Sequence, residues 1–185
     1  MANLDAPFGM NPLGKIGGGT ASAANSYPTI SGYAVALFQG DPVGIAEGGG
    51  DVVLFVKTAG GTDATNCIGV FWGCNYDDAT TGKPIFSNQK AASIATTCFV
   101  YDDPYQVFEI QGDAASNILD LSKLGDIAAT AGDSTTGVSK TEADSANWGT
   151  GANIRVVGFS KKVGRNDVGA VNLVYDVLIN EHKYK

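Results

Sequence analysis

The sequence predicts a mainly β fold, a small β-barrel or β-sandwich, and three observations support this class. The chain of 185 residues contains 25 glycines, only 17% of its residues are charged, and its apolar runs are short. Gly, Asn, Asp and Pro separate these runs, so the pattern predicts many turns and almost no long amphipathic helix. The length is typical of one domain with a sizeable core.

Residues 1–29 are predicted to be an extended N-terminal arm, and residues 30–185 a single β domain. Prolines and glycines interrupt the arm, so it has too little contiguous apolar surface to offset the entropy of ordering on its own domain. We therefore expect it to become ordered on a neighbouring subunit or partner, where its apolar side chains fill pockets. The four predicted interface residues are Phe8, Met10, Leu13 and Ile16.

The first strand is predicted at residues 30–38. Tyr33, Val35 and Leu37 fall on one of its faces and small residues alternate on the other, which is typical of a half-buried strand that the Gly-Asp-Pro sequence at 40–42 then ends. The same reasoning predicts strands at about 43–46, 51–57, 67–76, 83–87, 93–101 and 105–111, with turns at 78–82 and 102–104.

Residues 112–151 are rich in Ala, Ser, Thr, Gly and Asp, and they are predicted to form one long surface excursion with a short helix at about 119–128. Strands at 154–159 and 171–179 follow, joined by a hairpin loop at 164–169. Alternation in the last strand predicts a core face made of Val171, Leu173, Tyr175, Val177 and Ile179.

The charge pattern excludes some partners. A formal net charge of −7 and a pI near 4.5 argue against nucleic-acid binding, which needs clustered Lys and Arg. Basic residues concentrate only at Lys161, Lys162 and Arg165 and near the end of the chain, as solvated loop residues or as a docking patch for an acidic partner surface. The apolar runs are far shorter than the roughly 18 residues of a membrane span, so we expect a protein made in the cytoplasm without membrane contact.

Few residues offer catalytic or metal-binding chemistry. His182 is the only histidine, three places from the end of the sequence, which disfavours a Ser-His-Asp or Cys-His apparatus. Cys67, Cys74 and Cys98 lack C-x-x-C spacing and are interpreted as reduced cysteines packed in strands. We expect no cofactor, no metal and no enzymatic activity.

Two pairs of adjacent aspartates, at residues 77–78 and 102–103, allow three interpretations. Neighbouring carboxylates at strand ends commonly cap turn backbone, which we favour here. Asp102 and Asp103 could also contribute to a calcium site, and paired carboxylates could serve a small hydrolase. Aromatic residues concentrate between Phe71 and Phe108, which is typical of core packing or of a subunit interface.

Several blocks of sequence resemble a family of small virion proteins of tailed bacteriophages, the head decoration or cement proteins common in marine and cyanobacterial phages. The blocks are residues 6–9, 30–43, 68–76, 101–104 and 179–182. The resemblance implies a location on the capsid exterior of a virion, with the major capsid protein as partner. Sitting on a symmetry axis of a capsid further suggests a homo-oligomer, with a trimer as the expected ring.

Two other functions stay open at this point. The protein could be a virion module that binds carbohydrate or a host surface through residues 112–151, which predicts that Trp148 is exposed on a concave face. It could also be a small hydrolase that uses the aspartate pairs, which predicts two facing carboxylates in a cleft and at least one raised pKa.

Overall fold

The structure is a computed structural model, and it describes residues 2–29, 32–46, 50–55, 57–58, 61–62, 67–149, 151 and 153–185. Strands dominate these residues and pair into antiparallel sheets in a sandwich-like arrangement, which confirms the mainly β class. In chain order the strands are β1 (Asn11–Lys15), β2 (Asn25–Thr29), β3 (Leu37–Phe38), β4 (Pro42–Ile45), β5 (Val52–Leu54), β6 (Lys57–Thr58), β7 (Gly61–Thr62), β8 (Cys67–Asp77), β9 (Pro84–Ser87), β10 (Gln89–Lys90), β11 (Thr96–Tyr101), β12 (Gln106–Gln111), β13 (Leu124–Gly125), β14 (Ile127–Ala128), β15 (Glu142–Ala143), β16 (Ile154–Phe159) and β17 (Val174–Ile179). Two short 3-10 helices cover Ile118–Asp120 and Ser145–Asn147.

The first large sheet has five strands in the order β1-β12-β17-β16-β13, and β17 lies at its centre. Four residues predicted for the core face of this last strand are buried, namely Leu173, Tyr175, Val177 and Ile179. The prediction is wrong for Val171, which is half exposed. Asn172 has a φ of 60°, which a strand does not allow, so the strand begins only at Val174.

The second large sheet has the order β2-β11-β8-β4-β5, and β9 pairs with the far end of the long strand β8. Its edge strands β2 and β5 come close enough for Cα atoms to approach within 8 Å, although they are not hydrogen-bonded neighbours. The two sheets enclose a shared apolar cluster, to which Val70 and Phe55 contribute from the second sheet and Phe108 and Ile110 from the first. The core therefore lies between the sheets.

The strands predicted from residue 43 to residue 111 are present, with their ends shifted by a few residues, and β16 and β17 form the predicted hairpin with a longer loop, residues 160–173. The strand predicted at 30–38 is wrong for residues 32–36, and its residues 30–31 lie outside the described part. The carbonyl of Tyr33 accepts the N–H of Ser93 at 2.9 Å and the ammonium of Lys90 at 3.4 Å. These contacts with a turn and a side chain replace a strand ladder.

The segment predicted as an extended arm belongs to both sheets, which corrects the boundary at residue 29. β1 is the edge strand of the first sheet and pairs with β12, while β2 is the edge strand of the second sheet and pairs with β11. Met10, just before β1, is completely buried in the shared core. The apolar surface of this segment is too small to order it, but main-chain hydrogen bonds hold most of it in place.

Asp102 and Asp103 fasten the same segment at the turn between β11 and β12. One oxygen of Asp103 accepts hydrogen bonds from the Lys15 ammonium and the Ser22 hydroxyl, each at 2.7 Å. These contacts hold the pKa of Asp103 down at about 2, with the Lys15 hydrogen bond as the largest cause. Asp102 accepts a bond from Asn25 at 2.9 Å, so the aspartate pair anchors the chain between β1 and β2.

Residues 112–151 pack onto the domain, so the predicted surface excursion with a helix at about 119–128 is also corrected. Within residues 119–128, only Leu119 and Asp120 are helical, as part of the 3-10 turn Ile118–Asp120, and β13 joins the first sheet through β16. Ile127 and Ala143 are buried in the shared core. Pairing with a neighbouring strand overrides a weak helical preference in this segment.

The turn at residues 38–41 joins the N-terminal segment to residues 112–151. Gly9 and Gly40 both have positive φ, at 70° and 95°, and they pack against each other. A Cβ atom at Gly9 would lie 2.6 Å from the carbonyl oxygen of Gly40, and one at Gly40 would lie 2.8 Å from the carbonyl oxygen of Phe8. Only glycine fits at either position. The buried Asp41 closes the turn by accepting the N–H of Phe38 at 2.8 Å.

Replacing Met10 by alanine tests whether the N-terminal segment belongs to the core. We expect Met10→Ala to lower the free energy of unfolding by about 2–5 kcal/mol, because it leaves a cavity between the sheets. Leu13→Ala, three residues away on an exposed side chain, is the matched control and should change it by less than about 0.5 kcal/mol. Urea denaturation of both variants measures the difference. Equal effects of the two substitutions would contradict the assignment of Met10 to the core and would support a detached arm.

The buried carboxyl of Asp41 predicts a specific pH dependence. Burial raises its pKa to about 6, although hydrogen bonds from Ser139, Phe38 and Thr141 partly offset this effect. The folded protein then binds this proton more tightly than the unfolded chain, so stability falls as pH rises from about 4 to about 6. The loss is about 3 kcal/mol for a shift of this size.

Asp41→Asn should remove that part of the pH dependence, because an amide does not titrate in this pH range. The asparagine oxygen can still accept the Phe38 N–H, so the turn is kept. Denaturation curves at several pH values between 4 and 7.5 compare the two proteins, and their difference isolates this carboxyl from the others that titrate. Parallel stability profiles would show that Asp41 is not the group responsible.

Candidate functional site

Three of the four paired aspartates, Asp78, Asp102 and Asp103, serve local structure. Asp78 accepts the N–H groups of Thr80 at 2.9 Å and Thr81 at 2.7 Å, which confirms that it caps a turn. Asp102 and Asp103 hold the N-terminal segment, as described above. Within the described residues, no group of three or more His, Cys, Asp or Glu side chains is placed to hold a metal ion. Because at least one carboxylate of each pair is engaged in local structure, neither pair has both carboxylates available for a hydrolase.

The cysteines are buried and unbonded to one another, as predicted. Burial raises the pKa values of Cys67 and Cys74 to about 12, so both carry neutral thiols at physiological pH. His182 is also buried, and its Nδ1 accepts the N–H of Tyr184 at 3.1 Å. Burial lowers the pKa of His182, which favours its neutral form. These groups anchor strands and the C-terminal turn.

Trp148 does not occupy the exposed position that the carbohydrate hypothesis required. Its ring packs edge-on against Tyr175 with 5.1 Å between ring centroids. It also covers Gly125 so closely that a Cβ atom there would lie 2.1 Å from the indole. Trp148 is therefore part of the packing of residues 112–151 against the first sheet.

The four predicted interface residues are not brought together. Met10 lies in the protein's own core, so it cannot fill a pocket on a partner, and that prediction is wrong. Phe8 is half buried under Arg165, whose guanidinium lies 5.0 Å from the ring centroid. Leu13 and Ile16 are exposed on or beside the edge strand β1, and their role at an interface stays a prediction.

A different set of apolar side chains is concentrated on three neighbouring loops. Residues 3–4, 116–121 and 163–171 make up what we call the apolar loop surface. Half of the fourteen large apolar side chains that are exposed in the described part of the chain lie on it, with exposed fractions between 38% and 87%. They are Leu4, Ile118, Leu119, Leu121, Val163, Val168 and Val171. Because exposed apolar patches commonly serve as interaction sites, this set is a candidate interaction surface.

Buried Asn3 joins the first of these loops to the third. Its amide nitrogen donates to the carbonyl oxygens of Asp167 at 3.1 Å and Val171 at 3.0 Å, and its amide oxygen accepts the N–H of Asp167 at 2.8 Å. The N–H of Leu4 donates to the carbonyl oxygen of Gly164 at 2.9 Å. The side chain of Asn3 thereby fixes the backbone on both sides of Val168.

Buried Ser116 joins the second loop to the third. Its N–H and its hydroxyl donate to the carbonyl oxygen of Ala170 at 3.2 and 3.0 Å, and the hydroxyl accepts the N–H of Gly169 at 2.9 Å. The next residues form a capping box, in which Asn117 accepts the N–H of Leu119 and Asp120 accepts the N–H of Asn117. The exposed aliphatic side chains thus project from a backbone that is already ordered.

Sequence reasoning missed this surface. Residues 112–151 are predicted to form a surface excursion with a helix from about residue 119, and residues 164–169 a hairpin loop, and neither prediction implies an exposed apolar surface. The available signal was Ile-Leu-Asp-Leu at 118–121, within a segment rich in small polar residues, and valines in an otherwise polar loop. That Asn3 lies against Asp167 follows from tertiary structure alone.

No protein-family model matches the chain. Searches among curated proteins and among solved structures also found no match. None of the helices in the described residues is both long and apolar enough to span a membrane.

Replacing Asn3 tests whether buried polar side chains order the apolar loop surface. Asn3→Ala should cost about 1–3 kcal/mol, because it leaves buried backbone groups of residues 167 and 171 without partners. Amide hydrogen exchange should accelerate within residues 164–171 and stay unchanged in β8. Asn11→Ala is the control, since that amide makes no hydrogen bond to another described side chain. Unchanged exchange in Asn3→Ala would show that the loops are held by other contacts.

Proposed function

We propose that this chain is a structural protein of a tailed-bacteriophage virion that binds the capsid exterior as a decoration or cement protein, with the major capsid protein as its partner. The observation that carries this proposal is the apolar loop surface, where exposed aliphatic side chains project from ordered loops. The sequence blocks that resemble decoration proteins support it independently. Function of this kind needs a surface rather than reactive groups.

The ordering of the loops favours tight docking. Binding normally costs the entropy of fixing loops and side chains at the interface. Here Asn3, Ser116 and the Asn117–Asp120 capping box fix the backbone before any partner arrives. Complete burial of a fully exposed leucine, isoleucine or valine contributes about 1.5–3 kcal/mol. The side chains of this surface are already partly covered, so each contributes less than that.

Repetition supplies the rest of the proposed mechanism. Many copies would bind at junctions between neighbouring capsid subunits, so that each adds buried surface where packaged DNA strains the shell. Linked copies gain avidity that a single modest contact lacks. A homo-oligomer, a trimer in our proposal, would use Leu13 and Ile16 beside the β1 edge for contact between copies.

The structure gives the other two functions unequal support. Asp78 is engaged in a turn cap, and Asp102 and Asp103 in holding the N-terminal segment, so three of the four aspartates that a hydrolase would use are engaged in local structure. Trp148 packs within the protein and is not available to a saccharide, but a cleft lined by Trp72 and Arg165 offers another position for one.

The decisive test is occupancy on virions. Mass spectrometry of purified virions of the phage that carries this gene should detect the protein with a copy number set by the capsid lattice. Leu119→Asp combined with Val163→Asp should lower its binding to capsids that lack the native protein at least tenfold, because charge is placed in the apolar contact. Both side chains are largely exposed, so the melting temperature should not change.

Ile94→Asp is the matched control, since it places the same charge on an exposed apolar residue outside the apolar loop surface. It should bind within twofold of the native protein. Absence of the protein from virions, or unchanged occupancy of the double variant, would overturn the proposal.

A further inference from the structure

A cleft of about 360 Å³ lies beside the N-terminal segment, between the turn at residues 38–41, the strand β8 and the loop that follows β16. Its volume is within the range of small-ligand sites. Aromatic, amide and charged side chains line it together, including Phe8, Asn11, Gln39, Trp72, Glu109 and Arg165. No local sequence pattern indicates this grouping, because its members come from five separate segments.

Two residues with side-chain amides line this cleft from ordered backbone, and their amides are not used in hydrogen bonds within the described part of the protein. Asn11 is fixed in β1 opposite Glu109, and the N–H of Gln39 donates to the carbonyl oxygens of Asn88 and Gly137, each at 3.0 Å. Among the described residues, neither side-chain amide has a hydrogen-bond partner. Each therefore presents a donor and an acceptor to the cleft from a fixed backbone.

The charges of the cleft leave one cation uncompensated. The buried Glu109 accepts hydrogen bonds from Lys162 and from the Ser160 hydroxyl, so Lys162 and Glu109 neutralise each other. Arg165 forms no ion pair with another described residue, and its guanidinium carbon lies 5.0 Å from the centroid of the Phe8 ring. A guanidinium in this position offers two parallel donors to a carboxylate, on a protein whose net charge is −7.

Trp72 supplies a fixed aromatic wall. Its ring packs edge-on against Tyr101, with 5.3 Å between ring centroids, and it remains partly exposed on the cleft side. The negative face of an aromatic ring attracts the weakly positive C–H groups of a sugar ring. An aromatic wall with nearby amides suits a ligand that has an apolar face and hydroxyl groups at its edge.

We propose that this cleft binds an acidic saccharide, a chain of uronic-acid residues. The ligand's carboxylate pairs with Arg165, its ring lies against Trp72, and its hydroxyls exchange hydrogen bonds with Asn11 and Gln39. An acidic peptide fits less well, because main-chain groups of the cleft that could pair with a peptide backbone are already bonded within the protein. The N–H of Met10 and both the N–H and the carbonyl of Gln39 are already bonded within the protein.

Arg165 lies in the loop 163–171, which also carries part of the apolar loop surface, whereas Phe8, Asn11, Gln39 and Trp72 lie outside that surface. Binding of a free saccharide is measured without a capsid, so this proposal can fail while capsid docking stands. Isothermal titration with tetramannuronate and with tetragalacturonate is the direct test, with neutral cellotetraose as the comparison ligand. We expect both acidic tetrasaccharides to bind at least tenfold more tightly than cellotetraose. Their affinity should fall with rising salt, because a charge pair contributes to it.

Two variants assign the contacts. Arg165→Gln should weaken binding of the acidic tetrasaccharides at least tenfold and remove the preference over cellotetraose. Gln39→Ala should lower the affinity for all three tetrasaccharides, since it removes the hydrogen bonds between the Gln39 amide and their hydroxyl groups. Arg155→Gln is the matched control, because Arg155 is the only other arginine and is exposed on β16 outside the cleft. Melting temperatures verify that each variant is folded.

Three outcomes would overturn the proposal. The first is no heat of binding with either acidic tetrasaccharide at millimolar concentration. The second is unchanged affinity in Arg165→Gln. The third is displacement of the saccharide by tetraglutamate at equal concentration, which would reduce the site to one for any anion.

Discussion

The fold depends on the buried turn at residues 38–41, because four parts of the chain bond to it. The N–H of Met10 donates to the carbonyl oxygen of Gly40, and the N–H of Gly40 donates to that of Phe71 in β8. Gln39 bonds to residues 88, 137 and 139, and the Asp41 carboxylate closes the turn while interacting with Ser139 and Thr141. A turn of four residues thereby fixes the N-terminal segment, β8, β10 and residues 137–141 relative to one another. The close contact of Gly9 with Gly40 requires both to lack a side chain, so this junction is sterically as well as electrostatically specified.

This junction also explains why the cleft exists. The same bonds that hold Met10 in the core bring Phe8 and Asn11 to one wall, and the bonds of Gln39 direct its amide to another. The ion pair between the buried Glu109 and the exposed Lys162 closes the side formed by the loop after β16. Glu109 lies directly opposite Asp176 in the sheet. Burial raises the pKa of Asp176, the negative charge of Glu109 raises it further, and the positive charges of Lys161 and Lys162 offset part of this effect.

Sequence patterns predicted the parts of this structure that depend on local alternation. β8, β11 and β12 follow from short runs of apolar, aromatic and β-branched residues bounded by turn residues, and the core face of β17 follows from apolar residues at period two. The N-terminal segment was misjudged because its stability comes from main-chain pairing and from Asp102 and Asp103, which contribute no apolar signal. The helix expected at about 119–128 was overridden by pairing of β13 with β16. The candidate surfaces depend on contacts between segments up to 168 residues apart, such as Asn3 with Val171, and no local pattern encodes these.

The polar side chains beneath the apolar loop surface carry the strongest functional argument. Burial of Asn3, Ser116 and Asp120 costs desolvation, and it is offset only because nearly every polar group finds a partner. Yet these bonds order loops whose leucines, isoleucine and valines remain in water, where they add little to the core. A sequence selected for stability alone would place such side chains inside and leave these loops short and polar. Ordered display of apolar groups therefore makes physical sense when a partner completes the burial, which is what docking on a capsid would do.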